Sequence, residues 1–175
     1  GATDRTCTFT VAASTTGTCN YTVQSGDTTS DLTVSTISGT INDAALNAMS
    51  NFVPATNLAT NKALVIDTTA PILSEVTPVT TPTVDHTPNY TFNSDEAGDI
   101  SYGGSCTSAT TTATVGDNTI TFDTLSDGVY NDCTITVTDA SSNASDPLTV
   151  SEFEVITDTT APILSEVTPV TTPTV

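Results

Sequence analysis

The sequence predicts an all-β protein of tandem Greek-key sandwiches, one complete and its neighbours partial. Three observations predict it. Apolar residues alternate with threonine in short runs, clusters of Gly, Asn, Asp and Ser punctuate those runs, and one long segment occurs twice. Residues 67–84 read DTTAPILSEVTPVTTPTV, and residues 158–175 repeat the same eighteen letters at an offset of 91 residues. That offset is the length of one sandwich domain with its linker. The 175-residue chain therefore divides into 1–66, 67–157 and 158–175. The middle unit is expected to be complete. The first is expected to lack its leading strands, and the last to be the leading strand and linker of a further repeat.

Within the middle unit the strand signals come at regular spacing. Ile72–Val76 is an apolar run after Pro71, and Tyr90–Phe92 alternates before the turn-rich cluster 93–98. Ile100–Tyr102 leads to Gly103-Gly104, and Thr110–Val115 precedes a turn expected at Gly116-Asp117-Asn118. Ile120 and Phe122 share a face, and Ser126-Asp127-Gly128 turns the chain. Val129, Cys133, Ile135 and Val137 share one parity while Thr134, Thr136 and Thr138 share the other, which predicts a half-buried strand with a threonine-covered outer face. Leu148–Ile156 supplies a last strand. Seven short strands without helical periodicity fit a Greek-key sandwich. The first segment predicts strands at 6–11, 18–23, 32–37 and 62–66, with a helical turn as an option at 44–49.

Composition narrows the function classes. Twenty acidic side chains stand against two basic ones, for a formal net charge of −18 and a pI near 4.1. So little positive charge leaves phosphate unneutralised, which excludes nucleic-acid binding and disfavours anionic lipid. No apolar run approaches the roughly 20 residues that cross a bilayer. The four cysteines, Cys7, Cys19, Cys106 and Cys133, form no CxxC spacing, which argues against a thiolate zinc site. Three pairings are formally open; the sequence-local pairs Cys7–Cys19 and Cys106–Cys133 are favoured. An even cysteine count in such a chain fits an oxidising, extracellular compartment.

Several segments resemble a known family. Asp67-Thr68-Thr69-Ala70-Pro71, repeated from Asp158, resembles the opening of bacterial immunoglobulin-like repeats, which build the stalks of large secreted adhesins and surface fibres. Leu125–Tyr130 is similar to the corner between the fifth and sixth strands of such domains. Thr136–Asn143 is similar to their terminal Asp-x-Ala-Gly-Asn segment, with Asn42–Asn47 as its counterpart in the first unit and Tyr21–Asp27 as another familiar strand. The glycine before the closing Asn is replaced by Leu46 in one copy and Ser142 in the other. The resemblance implies immunoglobulin-like sandwiches and calcium at domain junctions.

The acidic residues carry the chemistry to be weighed. Most of them read as charge that keeps a secreted fibre soluble. A subset is brought together by sandwich topology: Asp67 from the linker, Asp95 and Glu96 from the turn after the second strand, and Asp139 with Asn143 from the last turn. Carboxylates crowded without lysine or arginine repel one another, and Ca²⁺, which accepts six to eight hard oxygens, is the natural compensation. The second copies are Asp158, and Asp43 with Asn47; Asp27 or Asp31 could add a ligand from the neighbouring unit. His86 reads as a loop residue, and Lys62 as a poor basis for an isopeptide bond. The sequons at Asn20, Asn89 and Asn143 matter only where the source glycosylates. No catalytic residues are identified, and with no Trp and four Tyr a sugar-stacking surface is thin. The expected function is a structural, non-catalytic segment of an extracellular adhesin or fibre, stiffened by calcium and local disulfides, with neighbouring repeats or identical subunits as partners. The alternative is a filament subunit that donates 158–175 to the first unit of the next copy. A carbohydrate-binding module is a third class, with nothing in the sequence that demands it.

Overall fold

The computed structural model of the chain describes residues 5–11 and 16–165. Regular structure concentrates in the middle unit. The strands are β1 (Leu73–Thr77), β2 (Asn89–Ser94), β3 (Gly98–Gly103), β4 (Thr112–Ala113), β5 (Gly116–Thr121), β6 (Gly128–Tyr130), β7 (Thr134–Thr138), β8 (Leu148–Thr149) and β9 (Phe153–Val155). One antiparallel sheet runs β1-β2-β5 and another β4-β3-β7-β8, while β6 pairs with β9. The β6–β9 ladder continues the β7–β8 ladder in a single register. Tyr130 faces Phe153, Thr134 faces Thr149, and between them the Val150 N–H donates to Cys133 O at 3.0 Å. β6–β7 and β8–β9 are thus two halves of one long hairpin, interrupted where Cys133 is joined to Cys106. Counted this way the unit has the seven strands its sequence predicts.

The two sheets bury their facing sides in one core. Tyr90 and Phe92 of β2 and Ile120 of β5 meet Ile100 of β3, Ile135 and Val137 of β7, and Phe153 and Val155 of β9, all buried. The alternating pattern of β7 places its three threonines on the opposite face, as a period of two requires. Val129, predicted to share that buried parity, is 57% exposed, because the break between β6 and β7 resets the alternation. The turn expected at 116–118 lies earlier. Gly116 takes φ +100° and opens β5, while the Asn118 amide accepts from Thr114 N and donates to Thr114 O, both at 2.8 Å. At the corner before β6 the Tyr130 hydroxyl donates back to Ser126 O at 2.9 Å. Beyond β1 the chain runs parallel to β9: Thr83 N donates to Glu154 O, and Ile156 N to Thr83 O, at 2.8 and 2.9 Å.

The first unit differs from expectation. None of the strands predicted at 6–11, 18–23, 32–37 and 62–66 forms; two isolated bridges, Thr29–Ile66 and Asn42–Ala48, and a four-residue helix α1 (Leu58–Asn61) stand instead. Among the described residues before Asp67, Asp27 alone is buried. Alternation supplies one apolar face, but a strand also needs a partner ladder and an opposing layer, and Val23, Val34, Val53 and Val65 find neither. Cysteines join as Cys7–Cys19 and Cys106–Cys133. No helix among the described residues is long and apolar enough to cross a membrane. Residues 166–175, most of the repeated segment's second copy, lie outside the described residues.

Candidate metal centre

Three elements deliver carboxylates to the end of the sandwich where the linker arrives. The turn between β7 and β8 is an elbow built on Asp139. Its Oδ1 accepts the N–H groups of Ser141 and Asn143, and its Oδ2 accepts the Asn143 side-chain amide, all at 2.8 Å. Ser142 takes φ +70° to close the elbow. The first unit repeats this geometry in Asp43–Asn47: Asp43 Oδ1 accepts from Ala45 and Asn47 N at 2.9 and 2.8 Å, and Leu46 takes φ +67°. Leu46 and Ser142 thus both take the left-handed conformation that glycine adopts most readily, each within a turn bonded to its aspartate.

The turn between β2 and β3 presents Glu96, whose backbone carbonyl accepts from the buried Ser94 hydroxyl at 2.6 Å. The linker presents Asp67. Its carbonyl accepts from the Asn143 amide at 3.2 Å, and its Oδ1 accepts from Thr69 N at 3.0 Å. One carboxylate oxygen each from Asp67, Glu96 and Asp139 then lies within 4.8 Å of the other two, all three side chains half-buried. The electrostatics follow. Partial burial and the charges of Asp67, Asp139 and Asp95 push the Glu96 carboxyl above its usual range. Asp139 is held below its usual range by the Asn143 amide and by backbone N–H groups of the elbow.

Other expected ligands take different roles. Asp95 does not join the cluster: its Oδ1 accepts from Ile72 N at 2.6 Å and pins the approach to β1. Asn143 turns its NH₂ toward the Asp139 carboxylate and the Asp67 backbone carbonyl, so it orients one carboxylate and anchors the linker that carries the other. Asp158 Oδ1 accepts from Thr160 N at 2.8 Å, and neither it nor Asp43–Asn47 belongs to a three-acid cluster among the described residues. Asp31 Oδ1 accepts from Leu64 N at 3.3 Å. Asp27 is consumed by Arg5, Tyr21 and Gln24 N, at 2.8, 2.7 and 2.9 Å, and these bonds lower its carboxyl to about 2.

Sequence reasoning missed Thr68. Its hydroxyl accepts from Gly26 N at 2.9 Å and donates to Asp27 O at 3.2 Å, so the linker is gripped by the first unit on one side and by Asn143 on the other. A threonine in a threonine-rich chain carries no signal of such a role. His86 sits in its loop as expected, with Nδ1 2.7 Å from Leu125 O and Nε2 3.7 Å from Asp127. The donor set of the cluster is all carboxylate, without nitrogen or sulfur, which fits a hard divalent cation rather than zinc or copper. The chain matches no family model, no curated protein and no solved structure.

Proposed function

We propose that this chain is a structural, non-catalytic segment of an extracellular repeat fibre whose domain junctions are stiffened by calcium. The observation that carries the reading is the convergence of Asp67, Glu96 and Asp139 beside the linker. A cation there would tie the linker carboxylate to two loops of the sandwich, and Thr68 ties the same linker to the preceding unit. Small interfaces between sandwich domains default to mobile hinges, so such ties set stiffness. The immunoglobulin-like assignment is supported by the β1-β2-β5 and β4-β3-β7-β8 sheet orders and by the Tyr130 hydroxyl reaching back to Ser126 O, the pattern of a tyrosine corner. Two disulfides agree with a secreted location.

The experiment is small-angle scattering on the full chain, titrated with Ca²⁺ and returned to chelator. Calcium is expected to narrow the pair-distance distribution and chelator to broaden it again. Scattering profiles that superpose in both conditions would remove the mechanical role.

A further inference from the structure

One side chain of the sandwich can take up a positive charge near neutral pH. Arg5 and Lys62, the two basic residues, both precede Asp67, and His86 is the single histidine. The backbone carbonyl of His86 accepts from Leu125 N at 2.8 Å, and its Nδ1 lies 2.7 Å from Leu125 O. A carbonyl only accepts, so Nδ1 carries the hydrogen and the neutral ring keeps a lone pair on Nε2. That nitrogen faces another acceptor, Asp127 Oδ1, at 3.7 Å. The same oxygen accepts from the Thr157 hydroxyl at 3.0 Å. A single carboxylate oxygen therefore stands between the connection from β1 to β2, the corner before β6 and the chain that follows β9. We infer that His86, Asp127 and Thr157 form a proton-operated clamp on the segment leaving the sandwich, slack when the imidazole is neutral and tight when it is protonated.

The chemistry follows from counting hydrogens. With the ring neutral, Nε2 and Oδ1 are two acceptors with no hydrogen between them, and Thr157 holds the carboxylate without help from His86. Protonation puts an N–H on Nε2 and converts the gap into an ion pair that draws the β1–β2 connection onto the corner. A carboxylate oxygen has lone pairs for two donors, so the Thr157 bond is kept. The other titratable side chains on these elements are turned elsewhere. Asp85 accepts from Thr87 N and Oγ1 at 2.8 and 3.2 Å, Asp123 from Thr107 Oγ1 at 2.7 Å, and Asp158 from Thr160 N at 2.8 Å. The Tyr130 hydroxyl donates to Ser126 O, and Glu154 of β9 is exposed.

The clamp and the carboxylate cluster occupy opposite poles. The long strand β6–β7 begins beside Asp127 and ends beside Asp139, so the clamp works without the metal centre. Imidazoles change charge between about pH 5 and 8. A proton that gains its partner only in the folded chain stabilises the fold, so the clamp adds stability as pH falls through that window and loses it as pH rises. Ile156, next to Thr157, donates its N–H to Thr83 O at 2.9 Å, which makes that amide a reporter of how firmly the outgoing segment is held.

The test uses the untagged full chain in EDTA, so that no outcome depends on calcium. Long-range ¹H–¹⁵N spectra of the single histidine at about pH 8 should show the Nδ1–H tautomer. His86→Asn keeps a donor for Leu125 O and removes the titrating nitrogen, while Asp127→Asn removes the charge. The two side chains are 37% and 54% exposed, so the pair has the strength of a surface ion pair. Between about pH 7.5 and 5.5 the melting temperature should therefore change more favourably in the parent than in either variant, by about 1–8 °C, and the double variant should match the single ones. Over the same range hydrogen-exchange protection of the Ile156 amide should rise by roughly 1.5- to 5-fold in the parent, and the rise should vanish in Thr157→Val. An Nε2–H tautomer, one pH response shared by the parent and H86N, or a rise at Ile156 that survives T157V would each overturn the inference.

Discussion

Replacing Glu96 by Gln gives a prediction whose sign depends on calcium. The substitution keeps the side chain's size and removes one charge from a group of three whose oxygens lie within 4.8 Å. In chelator the loss of repulsion should stabilise the sandwich. Like-charge neighbours at a protein surface are worth roughly 0.2–1 kcal/mol, so the melting temperature should rise by about 1–8 °C. In calcium the order reverses. Extracellular sites commonly bind with Kd on the order of 10⁻⁴ M, and at about 10 mM Ca²⁺ such a site adds roughly 2.7 kcal/mol to the parent, or about 10–20 °C. With one of three carboxylates gone, most of that gain should be missing from the variant. The assay is differential scanning calorimetry of both proteins in EDTA and across a calcium series. Melting curves that do not respond to calcium in either protein would refute the metal centre. A variant less stable than the parent even in EDTA would refute the electrostatic reasoning.

The same site predicts a pH signature. Because folding raises the Glu96 carboxyl, the native state holds its proton longer, and stability is lost as pH rises from about 4 through the raised value; the advantage of E96Q in chelator should therefore grow across that window and then level off. Asp139 works the other way: its lowered carboxyl contributes stability above about pH 4 that disappears on acidification, so Asp139→Asn should cost most near neutrality, as urea melts at pH 3 and 7 can show. Ser142→Gly should stabilise by about 0.5–1 kcal/mol, since glycine takes φ +70° without penalty but loses more chain entropy; a lower melting temperature would contradict the strained elbow. Replacing Cys106 and Cys133 together by Ala opens a loop with a sequence separation of 27 and should lower the sandwich transition by about 3.5 kcal/mol, roughly 15–25 °C. Removing Cys7–Cys19 should leave that transition unmoved.

Much of the middle unit was legible because its signals are local. Alternation locates β2 and β3 to within a residue or two and the C-terminal end of β7, and an exact repeat marks the linker regardless of any structure. Asp67, Glu96 and Asp139 could be brought together on paper because sandwich topology alone puts their three connections at one pole. What could not be read depends on competition for a partner. Asp95 and Glu96 are adjacent and both acidic, and only the position of the Ile72 N–H decides that Asp95 turns to the backbone while Glu96 faces the cluster. Asn118 looks like a turn residue, yet its amide substitutes for a backbone partner of Thr114 and carries the turn backward by two residues. In the first unit the period-two pattern is present and the strands are not, since a pattern names a face but cannot supply the layer that covers it.

The parallel pairing of Thr83 with Val155 bears on how such a unit would carry load. The polypeptide comes in at one pole and leaves at the other, so traction on the chain pulls the segment around Thr83 and strand β9 past each other lengthwise. Bonds aligned across that direction, Thr83 N to Glu154 O and Ile156 N to Thr83 O, are then sheared together instead of being unzipped one after another. A patch of this kind yields abruptly, holding its length under tension until both links fail at once.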